Sequence, residues 1–243
     1  MENIDFLKFE NEKDYENFLR FLKTHSKEES IEDLKRHKAV INCDRETYGL
    51  SMKDIRNISK QISNSNFENY LKLANSEIYE DVMIQGIVIA SIKDLDYQIK
   101  LLDSWIKKID SWALCDSVIT TMKWLKKPEN QEKYFEYFYN LCFETEEYVS
   151  RFGIVTLLVY FINETYIDKI YDMCVRVKNE KYYIQMAIAW LVSVGYVYFP
   201  EKTYRLLEKK VFCKFIQNKS ISKCRESFRI SKEDKEKLKQ FRI

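Results

Sequence analysis

Turn-forming residues are the scarcest material in this chain, which holds four glycines and two prolines in 243 residues. Tight hairpins need glycine for positive φ or proline for a fixed φ, so a multi-stranded β fold has almost nothing from which to build its corners. No two glycines stand at G-x-G-x-x-G or P-loop spacing, which excludes both phosphate-cradling folds. With 46% hydrophobic residues the chain can bury enough surface to offset the entropy of ordering. The expectation is an all-α protein.

Helix-start signals recur at short intervals. Ser51 precedes Met52-Lys53-Asp54-Ile55 with an acid three residues on, and Asn66, Asp94, Ser111, Asn163 and Ser231 each precede a stretch of helical periodicity. Pro128 and Pro200 fall at first turns, where a missing N–H is harmless. The pattern predicts helices over 12–24, 28–38, 51–63, 66–74, 77–92, 94–108, 112–126, 129–143, 146–161, 164–177, 180–198, 201–214, 219–228 and 232–240.

Segments such as 82–92, 152–162 and 186–199 are apolar nearly all round and alternate with amphipathic ones such as 94–108 and 129–143. Antiparallel helix pairs stacked side by side give that alternation. The apolar helices begin near 77, 112, 146 and 180, a step within the range of helical solenoids. An irregular helical bundle fits the periodicity equally well. No linker interrupts the chain, which reads as one domain over 1–243.

The net charge of +2 conceals a strong polarity. Residues 1–34 hold ten acids and five bases, whereas residues 201–243 hold fourteen bases and six acids. The cysteines, Cys43, Cys115, Cys142, Cys174, Cys213 and Cys224, lie far apart without a C-x-x-C, and only His25 and His37 could assist them. Neither a zinc site nor a disulfide framework is expected, and a reducing compartment fits best. The start, Met1-Glu2-Asn3-Ile4-Asp5, lacks the features of a signal peptide, and stretches such as Ile154 to Ile162 are too short to span a membrane. The expectation is a soluble cytoplasmic protein without membrane partners.

Four residues sit oddly on apolar helices. Leu114, Val118, Met122 and Leu125 form the stripe of the helix from Trp112, and Trp112 and Asp116, four apart, stand together on a neighbouring face. Arg151 interrupts the apolar segment around Phe152, and Trp190 lies within Met186 to Val192, each about one repeat beyond the last. In stacked repeats such positions share a face, so the four could line one groove. A buried ion pair of Asp116 with Arg151 and two core tryptophans is the structural alternative.

The segments Ile109-Asp110-Ser111-Trp112-Ala113-Leu114-Cys115-Asp116-Ser117, Glu147-Tyr148-Val149-Ser150-Arg151-Phe152-Gly153 and Tyr182 to Leu191, with Phe199-Pro200-Glu201 following, resemble the AlkD-type DNA alkylation repair proteins. Lys223 to Ile230 is similar to that family's closing segment, and the resemblance covers about residues 48–240. It implies an α-α superhelix, a C-shaped solenoid of HEAT-like repeats whose concave basic side holds duplex DNA, with residues 1–47 forming divergent N-terminal helices. It further implies a monomeric glycosylase that removes cationic N3- and N7-alkylpurines without base flipping or cofactor, at work on the nucleoid if the protein is bacterial.

Within that reading the charged purine leaves as a neutral base, and the demanding species is the oxocarbenium-like sugar. Asp116 would stabilise it and orient water, Trp112 and Trp190 would flank the damaged nucleotide, and Arg151 would hold a backbone phosphate. Lys214, Lys219, Lys223, Arg225 and Arg229 are the candidate phosphate contacts in the basic tail, with Lys35, Arg36, Lys38 and Arg56 nearer the start. The N-terminal region departs from the family, because His37 to Cys43 carries no aromatic residue and Glu28, Glu29, Glu32 and Asp33 precede it. Two other functions fit the same pattern, a non-catalytic DNA-binding protein of this family and a helical scaffold that binds protein.

Overall fold

The computed structural model describes residues 5–25, 31–75 and 78–243. Helix is the regular element of all of them, joined by one isolated parallel bridge between Glu46 and Ile78. The chain divides into two compact units, Met1–Met122 and Lys123–Ile243. The first holds α1 (Glu12–Thr24), α2 (Ile31–Ile41), α3 (Met52–Ser63), α4 (Phe67–Leu73), α5 (Tyr79–Ala90), α6 (Leu95–Trp105) and α7 (Trp112–Ile119). The second holds α8 (Pro128–Leu141), α9 (Glu147–Tyr160), α10 (Ile167–Arg176), α11 (Tyr182–Tyr198), α12 (Pro200–Glu208), α13 (Lys214–Glu226) and α14 (Lys232–Lys237).

The starts follow local chemistry. Ser51, Asn66, Asp94, Ser111 and Ser231 each accept a backbone N–H from the first turn of their helix, and Pro128 and Pro200 open α8 and α12. Three expectations need correction. The helix expected over 112–126 stops at Ile119, because the Thr120 and Thr121 hydroxyls both bond back to the Ser117 carbonyl and the chain continues as a 3₁₀ turn from Lys123 to Lys126. Asn163 shapes a turn through the backbone N–H of Thr165, and α10 begins only at Ile167. The helices expected over 201–214 and 219–228 instead end at Glu208 and begin at Lys214. Lys210 takes a left-handed φ of 51°, and the Gln217 amide caps the Leu207 carbonyl at 2.8 Å. The first three residues of the helix expected over 28–38, and the start of that over 77–92, lie outside the described residues.

Within the first unit α3 packs on α5 and α5 on α7; within the second α9 packs on α11 and α11 on α13. Partner helices cover their backs, α6 behind α5, α8 behind α9 and α12 behind α11. From α5 onward these inner helices start at residues 79, 112, 147, 182 and 214, steps close to those read from the apolar segments. Helices covered on several sides have no polar face, and every residue of α5 is buried.

Close packing of the pairs is where glycine is needed. A Cβ on Gly86 of α5 would lie 2.3 Å from the Trp105 ring of α6 and 2.6 Å from a Val118 methyl of α7. One on Gly153 of α9 would lie 2.7 Å from the Phe138 carbonyl of α8. Among the described residues no helix is long and apolar enough to cross a membrane. The six cysteines are free thiols, all buried except Cys213.

Candidate functional site

In the first unit the candidate residues stand on α7. Ser111 caps it by accepting the Ala113 N–H at 3.2 Å, and its hydroxyl donates to the Ile41 carbonyl at the end of α2. The Trp112 indole N–H donates to the preceding carbonyl, Val40, at 3.0 Å. Two orphan carbonyls of α2 are thereby satisfied by the first residues of α7, and this ties the indole in place. Leu114, Cys115 and Val118 are buried, whereas Trp112 and Asp116 are half-buried and Thr120 is exposed. Trp112 and Asp116, with Thr120 just past the helix end, are spaced by four and so line one side of a short apolar helix, next to the half-buried Ser117.

Arg56 of α3 ends that stripe, with its guanidinium 3.4 Å from the hydroxyls of both Thr120 and Thr121. Its charge marked it in the sequence, but its contact with the α7 stripe did not show there. Beside it a cleft of about 710 Å³ runs between Arg56, Lys60, Phe67, Ile87, Lys93 and Tyr97. Of the other N-terminal cations, Lys35 and Arg36 are exposed and Lys38 is half-buried, and Arg36 is partly neutralised by Asp33 at 3.4 Å and Glu32 at 3.9 Å. Glu28 and Glu29 lie outside the described residues.

Buried polar groups fix this scaffold. One oxygen of Glu80, on α5, accepts the Thr47 hydroxyl at 2.7 Å and the backbone N–H groups of Tyr48, Gly49 and Leu50. Its neighbour Asp81 accepts hydroxyls from Tyr15 and Tyr70 and the Gln85 amide, and Gln85 in turn accepts the Lys108 ammonium at 3.0 Å. Burial lowers the Lys108 pKa below its ordinary value.

In the second unit Arg151 stands on α9 and Trp190 on α11. Arg151 is only 5% exposed. Its Nη1 donates to the Tyr183 carbonyl at 3.0 Å, and its guanidinium lies 5.8 Å from the centre of the Tyr183 ring. Glu147, one turn earlier on α9, accepts the Tyr183 backbone N–H at 2.7 Å. The first turn of α11 is therefore held from both its N–H and its C=O by α9. Trp190, two turns further along α11, is half-buried. Glu147 and Tyr183 both lie in the family-like segments, and the only sequence signal for their pairing is a separation close to the spacing of the apolar helices.

The basic tail is mostly open. Lys214, Arg225 and Arg229 are exposed, while Lys219 and Lys223 are half-buried on α13. Arg229 lies 4.8 Å from the centre of the Tyr198 ring of α11. Lys214 and Lys219 share an open groove of about 500 Å³ with Phe215, Asn218, Ser222 and Arg242.

Neither a curated protein nor a solved structure matches the sequence. A family model described as DNA alkylation repair enzyme matches residues 18–196. The match begins upstream of residue 48, where the motif resemblance began, and ends before the basic tail. It takes in Trp112, Asp116, Arg151 and Trp190 together, and the chain therefore belongs to the DNA alkylation repair enzyme family.

Proposed function

We propose that the protein is a monomeric glycosylase that hydrolyses the N-glycosidic bond of cationic N3- or N7-alkylpurines in duplex DNA without flipping the base. The observation that carries this reading is the pairing of Trp112 and Asp116, both only half-buried, one turn apart on α7, within a family of DNA alkylation repair enzymes. In the reaction the C1′–N bond breaks with its electron pair going to the purine, which departs neutral. The positive charge left on the sugar ring is stabilised by the Asp116 carboxylate. Water hydrogen-bonded to the same carboxylate adds at C1′ and releases its proton to solvent. The Trp112 face supports the cationic nucleotide, held at a fixed angle by its hydrogen bond to Val40.

Trp190 offers the DNA an aromatic face within the second unit, and Arg151 acts as a positioning residue that orders the turn from which α11 leads to it. Lys214, Lys219, Lys223, Arg225 and Arg229 hold backbone phosphates, which gives affinity without base reading. The test is release of 7-methylguanine or 3-methyladenine from methylated duplex DNA. Asp116→Asn, which keeps the shape and removes the charge, is expected to slow release about a hundredfold or more with duplex binding retained.

A non-catalytic DNA-binding protein is the second reading. It is favoured by α2, which is joined to Trp112 at one end and carries Glu32 and Asp33 in its first turn, charges that oppose phosphate. Strong, steeply salt-dependent duplex binding with no base released selects it.

A further inference from the structure

Phosphate contacts call for cations, and they leave unexplained why the basic face of the second unit also exposes aromatic rings. Tyr182 and Tyr198 of α11 are 54% and 53% exposed, and Phe215 of α13 is 36% exposed. Phe215 lines the groove with Lys214, Lys219, Ser222 and Arg242, and Tyr182 meets it edge to face with ring centroids 5.8 Å apart. No Asp or Glu side chain lines that groove, Ile243 is bonded to its Asn218 at 2.8 and 3.0 Å, and among the described residues neither lysine has a side-chain salt-bridge partner. Arg242 is held across it by the Ser222 hydroxyl at 2.7 Å.

Three cations around exposed rings, with no Asp or Glu side chain in the lining, complement a polyanion that also carries flat apolar faces. In duplex DNA the base faces are stacked on one another and only edges and phosphates are presented; an unpaired strand offers both phosphates and faces. The aromatic edge also continues along α11 to Trp190. Tyr182, Met186 and Trp190 follow one another at intervals of four on α11 and are all at least partly exposed, so Trp190 lies about 12 Å along the helix from Tyr182.

We infer that the Tyr182–Phe215 groove binds an unpaired single strand adjoining the duplex, its bases stacking on the two rings and its phosphates on Lys214, Lys219 and Arg242. This rests on the DNA-binding reading above and adds the class of DNA preferred, duplex flanked by single strand. The experiment titrates the protein by fluorescence anisotropy with a blunt duplex and with the same duplex carrying a single-stranded thymidine overhang. The overhang is expected to tighten binding at least about fivefold. Tyr182→Leu with Phe215→Leu is expected to abolish that gain and leave blunt-duplex affinity and base release unchanged, and Phe215→Tyr is expected to keep the gain.

An overhang that gives no gain overturns the inference, as does a double leucine variant, folded by circular dichroism, that loses blunt and overhang binding equally. Failure to bind the blunt duplex at all defeats the DNA-binding reading itself, so the two failures are distinguishable within one titration.

Discussion

Gly86→Ala tests whether the packing that presents Asp116 is as tight as the structure shows. The added methyl would sit 2.3 and 2.7 Å from two carbons of the Trp105 ring and 2.6 Å from a Val118 methyl. Ordinary carbon contacts lie near 3.5–4.0 Å, so each neighbour must retreat by about 1 Å. The ring cannot turn aside freely, because Trp105 is 2% exposed and its indole N–H donates to the Val82 carbonyl at 3.0 Å, one turn before Gly86 on the same helix. Val118 has a stiff, branched side chain on α7.

Overpacking of this kind costs about 1–3 kcal/mol, with the upper end expected where the obstructing ring is hydrogen-bonded in place. Alanine returns about 1 kcal/mol through its better helix propensity, which leaves a net loss of about 2 kcal/mol. For a chain of this size that lowers the melting temperature by about 4–8 °C. Relief by displacing Val118 moves α7 and with it Trp112 and Asp116. Base release measured well below the melting temperature is therefore expected to fall by up to about a hundredfold. Thermal melts by circular dichroism and single-turnover release read the two effects separately. A Gly86→Ala protein that melts at or above the wild-type temperature refutes the packing argument.

Glu80→Ala removes the acceptor for the Thr47 hydroxyl and the backbone of Tyr48 to Leu50, and is expected to lower the unfolding free energy in urea by about 3 kcal/mol; a change under about 1 kcal/mol shows that the loop does not depend on it. Arg151→Ala strips the Tyr183 carbonyl of its donor, with an expected loss of about 1–3 kcal/mol and weaker duplex binding, and an unchanged urea midpoint contradicts the positioning role. Burial pushes the Cys43 thiol up to about 11 and the Tyr160 hydroxyl and Cys224 thiol up to about 12. The unfolded chain therefore loses these protons first, and the stabilisation present below their ordinary values is lost as pH rises from about 9 toward 12. Urea midpoints are expected to decline steadily over that range, and a midpoint that rises there contradicts the sign.

Much of the fold was legible because it rests on local rules. Side-chain caps at Ser51, Asn66, Asp94, Ser111 and Ser231 act within one turn, and helices buried on several sides are mostly apolar, with buried polar groups such as Glu80 and Asp81 satisfied by hydrogen bonds. Where the reading missed, a tertiary or competing bond decided. Threonine hydroxyls ended α7 early, and the Gln217 amide fixed the break between α12 and α13 from ten residues away. The candidate site divides in the same way. Spacing by four placed Trp112 and Asp116 on one face of α7, and their half-burial agrees with it. The charge of Arg151 inside an apolar segment stands out in the sequence, whereas its burial and its bond to the Tyr183 carbonyl depend on how α9 and α11 pack.

What the sequence determined alone was the class of fold, the spacing of the apolar helices and the membership of the family, because composition, periodicity and short motifs are properties of neighbours along the chain. Only the tertiary structure decided which side chains remain open to a ligand. That outcome depends on contacts between residues such as Val40 and Trp112 or Tyr182 and Phe215, whose separation in sequence no local pattern encodes.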